Sequence, residues 1–187
     1  MNIKFIPKRA ECEKPWVEFG CEEPAEYNQW VPHICGICCL KMVLDSICPE
    51  NSMSLYSLTI YCYNLSGFRI MEDGSISGVF HHPLLELARS RGLDGKVFRD
   101  VEISSIITEV QEGNYVILSI NLELATKLMS GSHLILIHAY DDRKEEFIFH
   151  DCSQVLDSIG SNLRINHSQL TRISNKKGIV LWKSVLY

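Results

Sequence analysis

The chain has 187 residues, 46% of them apolar, with 18 basic and 23 acidic side chains and a formal net charge of −5. That length suits one well-buried domain over residues 1–187 and is short for two, and the composition is that of a globular protein rather than a disordered or fibrous one. An acidic balance with no basic cluster argues against nucleic acid as the partner and leaves a peptide, a small molecule or a basic partner.

The start, Met1-Asn2-Ile3-Lys4-Phe5-Ile6-Pro7-Lys8-Arg9, has no apolar core of signal-peptide length, and no apolar run is long enough to span a membrane. Of the eight cysteines, Cys35, Cys38 and Cys39 share one predicted helix and Cys62 lies in another apolar stretch. Without a secretory signal they read as reduced thiols of a cytoplasmic protein, with a Cys12–Cys21 bridge as the disulfide alternative.

Residues 1–28 read as an irregular lead-in, with Val17 and Phe19 forming at most a brief strand. Its acidic residues read as solvated surface. A helix is predicted from Ile34 to Ile47, stopping before Pro49, because Ile34, Cys38, Met42 and Cys35, Cys39, Val43 recur at helical spacing. A second helix over 53–64 takes Ser52 or Ser54 as its cap. The polar, glycine-bearing stretch 67–79 reads as a long loop able to line a cleft. His81-His82 reads as a solvated pair before a helix running to Arg91, with Gly92 as its stop. A short strand at 96–99 and a helix over 102–111 follow. The period then changes: 115–120, 134–140, 146–150 and 178–185 are β-branched and aromatic runs, with Asp141-Asp142-Arg143-Lys144 as a hairpin turn. Helices first and an antiparallel sheet afterwards make an α+β arrangement.

Chemistry concentrates at the entry to the first long helix. Pro32 holds the preceding residue extended, so a loop enters the helix with Cys35 in its first turn. A thiol there faces unpaired N–H groups and the positive end of the helix dipole, which favour a thiolate. Gly36 leaves no side chain to crowd the sulfur. Gln29, on the loop upstream, carries an amide able to donate to an oxyanion. His133 follows Gly131-Ser132 where a loop becomes a strand, and Asp151 ends the strand 147–150; Cys, His and Asp together are a nucleophile, its base and the group that orients the base. His138 lies five residues beyond His133 and so faces the other side of the strand, as a packing residue. His150 points away from its neighbour Asp151, and Asp141 and Asp142 sit at the far end of the hairpin. Each of these residues also has a plainer reading: a packed cysteine, a satisfied histidine, a turn-capping aspartate.

Gln29, five residues, then Cys35-Gly36-x-x-Cys39-Leu40-x-Met42 resembles the nucleophile segment of the papain-like, double-glycine leader peptidases fused to bacteriocin exporters. The resemblance continues through His133 opening an apolar strand and Asp151 after the next one, and spans Gln29 to Asp151. It departs at Ile34, where that family has Asp or a similar residue, and at Cys152, where it tends to have Pro. The resemblance implies a papain-like fold, helical half on sheet, and a cysteine peptidase in free-standing form, with neither the transmembrane nor the ATPase part of the exporters. Cys35 attacks, His133 protonates the leaving amine, Asp151 orients His133, and Gln29 helps to hold the oxyanion. The implied substrate is a peptide or leader cut after Gly-Gly or Gly-Ala, with no cofactor and no metal.

Two other functions use the same residues. The thioester could pass its acyl group to an amine, making an acyltransferase or peptide-ligating enzyme. A pseudo-peptidase would bind the peptide without cutting it. Cys35-Gly36-Ile37-Cys38 also has the C-x-x-C form of redox sites, but the βαβ context such sites need is missing, and no second cysteine pair at short spacing supports zinc.

Overall fold

The structure, a computed structural model, describes residues 3–9 and 11–184. The opening residues 1 and 2 of the lead-in and Val185 of the last predicted strand lie outside them.

The lead-in is more regular than expected. It carries two short helices, α1 (Pro15–Phe19) and α2 (Pro24–Trp30), each with proline in its first turn, where a missing N–H costs nothing. Val17 and Phe19 therefore belong to a helix and not to a strand. Gly20 ends α1 in the left-handed region, φ 96°, and a Cβ there would lie 2.5 Å from Ser54 Oγ. Phe19 and Tyr27 are buried edge to face, their ring centroids 5.4 Å apart, which ties the two helices into the core.

After a single 3-10 turn, Val31–His33, the helix α3 (Cys35–Ile47) runs through the centre of the molecule. Ile37 to Leu40 and Met42 to Leu44 have no exposed surface, so this helix is buried along most of its length, while Lys41 and Asp45, paired at 3.0 Å, keep one side polar. α4 (Leu55–Asn64) packs on it, with Ser54 Oγ accepting from Ser57 N–H at 3.0 Å as the cap. The expected long loop is instead a small antiparallel hairpin, β1 (Phe68–Ile70) with β2 (Ile76–Gly78), closed by Asp73, whose carboxylate accepts from Ser75 N–H. Its strands are three residues each and mostly exposed, too short to leave a periodic signal. α5 (His81–Arg89) follows.

The remaining strands are β3 (Leu93–Arg99), β4 (Tyr115–Asn121), β5 (Ser132–Asp141), β6 (Glu146–His150), β7 (Leu163–Asn166) and β8 (Ser174–Lys183). They form one antiparallel sheet in the order β3-β8-β4-β5-β6-β7. α6 (Ile103–Gln111), α7 (Leu122–Thr126) and α8 (His167–Ile173) fill the connections. The sheet is covered on both faces. Tyr115, Ile117, Leu134, Leu136, Ile179 and Leu181 join the core built around α3, while Val116, Leu118, Ile120, Ile135, Ile137 and Val180 pack with residues of α6 and α8. That is why β4 and β5 read as unbroken apolar runs rather than alternating ones. β7, α7 and α8 were not expected, although Asn166 and Gln169 form a reciprocal capping box at the start of α8.

Cys12 and Cys21 are both free, as are the other six cysteines; Cys12 is exposed and Cys21 buried. Among the described residues no single helix is long and apolar enough to cross a membrane.

Candidate active site

Cys35 opens α3 and is partly exposed, unlike Cys38, Cys39 and Cys152 around it. The amides of this first turn have no partner within the helix and point at what approaches the sulfur. Gly36 is required by close approach: a Cβ there would lie 2.3 Å from Val79 Cγ1 and 2.8 Å from Leu134 Cδ1. The hairpin β1–β2 and the strand β5 thus close in on the helix start from two sides.

His133 lies in β5 beside Leu134, 5% exposed, and its Nε2 is 2.7 Å from Asp151 Oδ1. The same ring also interacts with the Cys35 side chain, and with Nε2 committed to the carboxylate, Nδ1 is the nitrogen left for the thiol. Burial works against the imidazolium, but the hydrogen bonds to Asp151 and Cys35 outweigh it and push His133 up to about 10. The direction favours the imidazolium form.

Asp151 is wholly buried, yet burial, which would raise its carboxyl, is overcome by His133 and by backbone amides, and the group stays below the usual carboxylate range. Oδ1 also accepts from Ser153 N–H at 3.0 Å, and Oδ2 accepts from Val155 and Leu156 N–H at 2.9 Å each. The plainer reading of Asp151 as a turn-capping aspartate anticipated part of this clamp but not its full extent. The Asp151-Cys152-Ser153 step carried a signal for its first arm, since Asp and Ser two residues apart are turn chemistry, but the other donors are main-chain groups that composition does not reveal.

The rival histidines lie elsewhere. His150 accepts from Asn162 N–H at its Nδ1, 3.0 Å, and donates from Nε2 to Ile3 O at 3.2 Å, the pattern of a neutral ring, and burial lowers its titration. His138 packs on His150 with centroids 4.5 Å apart, and burial holds it down at about 4. Asp141 pairs with Arg164 at the far end of the hairpin. Gln29 is not brought to the site by any hydrogen bond among the described residues. It sits exposed on the last turn of α2, not on a loop. Ile34 is fully buried and belongs to the core.

Cys152 occupies the space behind the nucleophile. Its Sγ donates to Cys35 O at 3.6 Å, and it interacts with the thiols of Cys38 and Cys39, both pushed well up by burial and by that contact. Lys8 N–H donates to Cys152 O at 2.6 Å, so the first described segment of the chain braces the turn that carries Asp151. Among the described residues no group of three or more His, Cys, Asp or Glu is placed to hold a metal ion.

This geometry predicts how Cys35 responds to small electrophiles. Alkylation by iodoacetamide at pH 6 should fall about tenfold or more in His133→Ala, which removes the cation that supports a thiolate, and stay within about twofold of wild type in His138→Ala. Mass-mapped labelling rates would decide it; the opposite pattern would make His138 the partner.

The profile of the Peptidase_C39 like family matches residues 23–164. Among solved structures, a protein described as a C39-like peptidase from Bacillus anthracis aligns over 99% of this chain and 96% of its own, at 16% identity and a TM-score of 0.60. The peptidase domain of Streptococcus ComA, a bi-functional ABC transporter, aligns over 82% and 93% at 12% identity and a TM-score of 0.57. A double glycine motif protease from an AMS/PCAT transporter, crystallised with its leader peptide, aligns over 80% and 84% at 18% identity and a TM-score of 0.53. No curated protein matches the chain. The fold is therefore the papain-like one of these peptidase domains.

Proposed function

We propose that this chain, which belongs to the Peptidase_C39 like family, hydrolyses peptides through Cys35, His133 and Asp151. One observation carries the reading: His133 is held between a buried carboxylate and the thiol that opens α3. In that arrangement the Cys35 thiolate attacks the scissile carbonyl, forming the C–S bond. The oxyanion gathers at the N–H groups of the first turn of α3, with the Gln29 amide as a second donor once substrate is bound. Collapse of the intermediate breaks the C–N bond, and His133 gives its proton to the departing amine. Water activated by the now neutral His133 then cleaves the thioester. Asp151 supports the imidazolium and fixes the ring.

Small residues at the bond cut, such as Gly-Gly or Gly-Ala, are supported by the likeness to a double glycine motif protease crystallised with its leader peptide. The domain acts as one unit over residues 1–187, and its buried free thiols suit the reducing cytoplasm.

Incubation with peptides carrying a central Gly-Gly, with and without a simple amine in excess, tests this. Mass spectrometry is expected to show products cut after the second glycine, each bearing a new carboxyl terminus. Acyl–amine adducts as the main product would convert the assignment to acyl transfer, and intact peptide bound by the protein would convert it to a binding module.

A further inference from the structure

A cavity of about 560 Å³ opens one residue beyond the Val79–Gly36 contact. Phe80, His81, His82, Val97, Arg99 and Lys177 line it. Its place follows from the register of the sheet. Arg99 on β3 pairs with Lys177 on β8; Leu118 on β4 pairs with Gly178; Ile120 on β4 pairs with His133 on β5. All lie at the same end of the sheet. With neighbouring strands about 4.8 Å apart, the strand of Lys177 is about 10 Å from that of His133, and the strand of Arg99 about 14 Å.

The charges of this cavity are not balanced from within. Among the described residues neither Arg99 nor Lys177 has a carboxylate within ion-pair distance, whereas their neighbour Lys176 lies 3.8 Å from Asp100 and 4.0 Å from Glu102. His81 is held below its ordinary range by burial and then by the positive charges of His82, Lys177 and Arg99. Phe80 stays 39% exposed and offers an apolar wall beside them. A local excess of cations stands out in a chain whose formal net charge is −5.

We propose that this cavity is a subsite for an acidic residue of the substrate, Asp or Glu. It rests on the peptidase reading of Cys35 and His133, because Phe80 at its wall follows Val79, which packs on Gly36 next to the nucleophile. An extended peptide advances about 3.3 Å per residue, so the acidic side chain falls about three or four residues from the bond cut. The carboxylate meets the guanidinium of Arg99 and the ammonium of Lys177, and its aliphatic part lies on Phe80.

Fluorescence anisotropy on Cys35→Ala protein, which binds without turnover, tests the subsite separately from catalysis. The probes are labelled decapeptides with a central Gly-Gly and one Asp, or one Asn, moved along the chain. The Asp peptide is expected to bind about five- to tenfold tighter than its Asn twin at one position three or four residues from the glycines. The preference should fade between about 0.05 and 0.5 M salt and approach unity in Arg99→Gln/Lys177→Gln, with melting checked in parallel. Equal affinity at every position, or no measurable binding of any peptide, overturns the subsite, as does a preference that survives the double substitution. Cleavage by wild type without any acidic preference leaves the peptidase reading standing and removes the subsite. A charge-dependent preference in a wild-type protein that cuts nothing does the reverse.

Discussion

Replacing Cys35 with alanine is expected to abolish cleavage, lowering kcat/KM by at least about 10⁴-fold, since removal of a nucleophile leaves only binding and oxyanion stabilisation. No neighbouring thiol is open to substrate. Cys38, Cys39 and Cys152 have no exposed surface, and burial holds the first two as neutral thiols. Cys35→Ala should also erase labelling at position 35 while leaving exposed Cys12 to react as an internal control. Cys38→Ala, which changes only packing, should keep both activity and labelling largely intact. Kinetics and peptide mapping would check all three, and cleavage retained in Cys35→Ala would end the assignment.

Asp151→Asn should damage stability and activity together. The carboxylate accepts from three backbone amides besides His133, and an amide group in its place sets its own NH2 against at least one of those donors. A buried donor left without an acceptor costs about 1–3 kcal/mol, so a loss of about 2–4 kcal/mol is expected, lowering Tm by about 5–10 °C. Activity should drop by at least about 10²-fold, as the imidazolium loses its counter-charge. The pH dependence follows from the two partners. A depressed carboxylate stabilises above its unfolded value near 3.9 and loses that contribution as pH falls through its folded value. His133, raised, contributes fully below its unfolded value near 6.5 and ceases to do so as pH passes about 10. The Tm gap between wild type and Asp151→Asn should thus be widest between about pH 4 and 6.5 and close on both sides. Calorimetry across pH would show it; a gap that does not vary with pH would mean the charge pair contributes nothing.

The parts of this molecule that sequence pattern exposed are those where one physical demand dominates. α3 is buried along most of its length, so Ile34 to Leu44 read as a core helix in spite of Lys41, and β5–β6 announces itself by two apolar runs around Asp141 to Lys144. Cys35, His133 and Asp151 were legible because their residue types and order are unusual in combination. The hairpin 68–78 and the strand 163–166 were not, being too short and too exposed for any period to register. α1 and α2 were signalled by Pro15 and Pro24 and overlooked because acidic, cysteine-bearing surroundings read as loop. Gln29 was placed on a loop, yet it rides the last turn of α2, and no hydrogen bond among the described residues positions its amide.

The strand order carries a consequence for how the protein comes into being. β8, the last of the described strands in chain order, lies between β3 and β4, with Leu93 opposite Lys183, so β3 has no partner and β4 only β5 on its other edge until residues 174–183 have been made. The β4–β7 meander can form locally, whereas closing loops of some ninety residues is slow and comes last. A nascent or truncated chain ending before 174 leaves β3 unpaired and one edge of β4 open, the kind of bare strand edge that recruits other chains. The presence of residues 174–183 thus decides whether the newborn polypeptide matures or clumps.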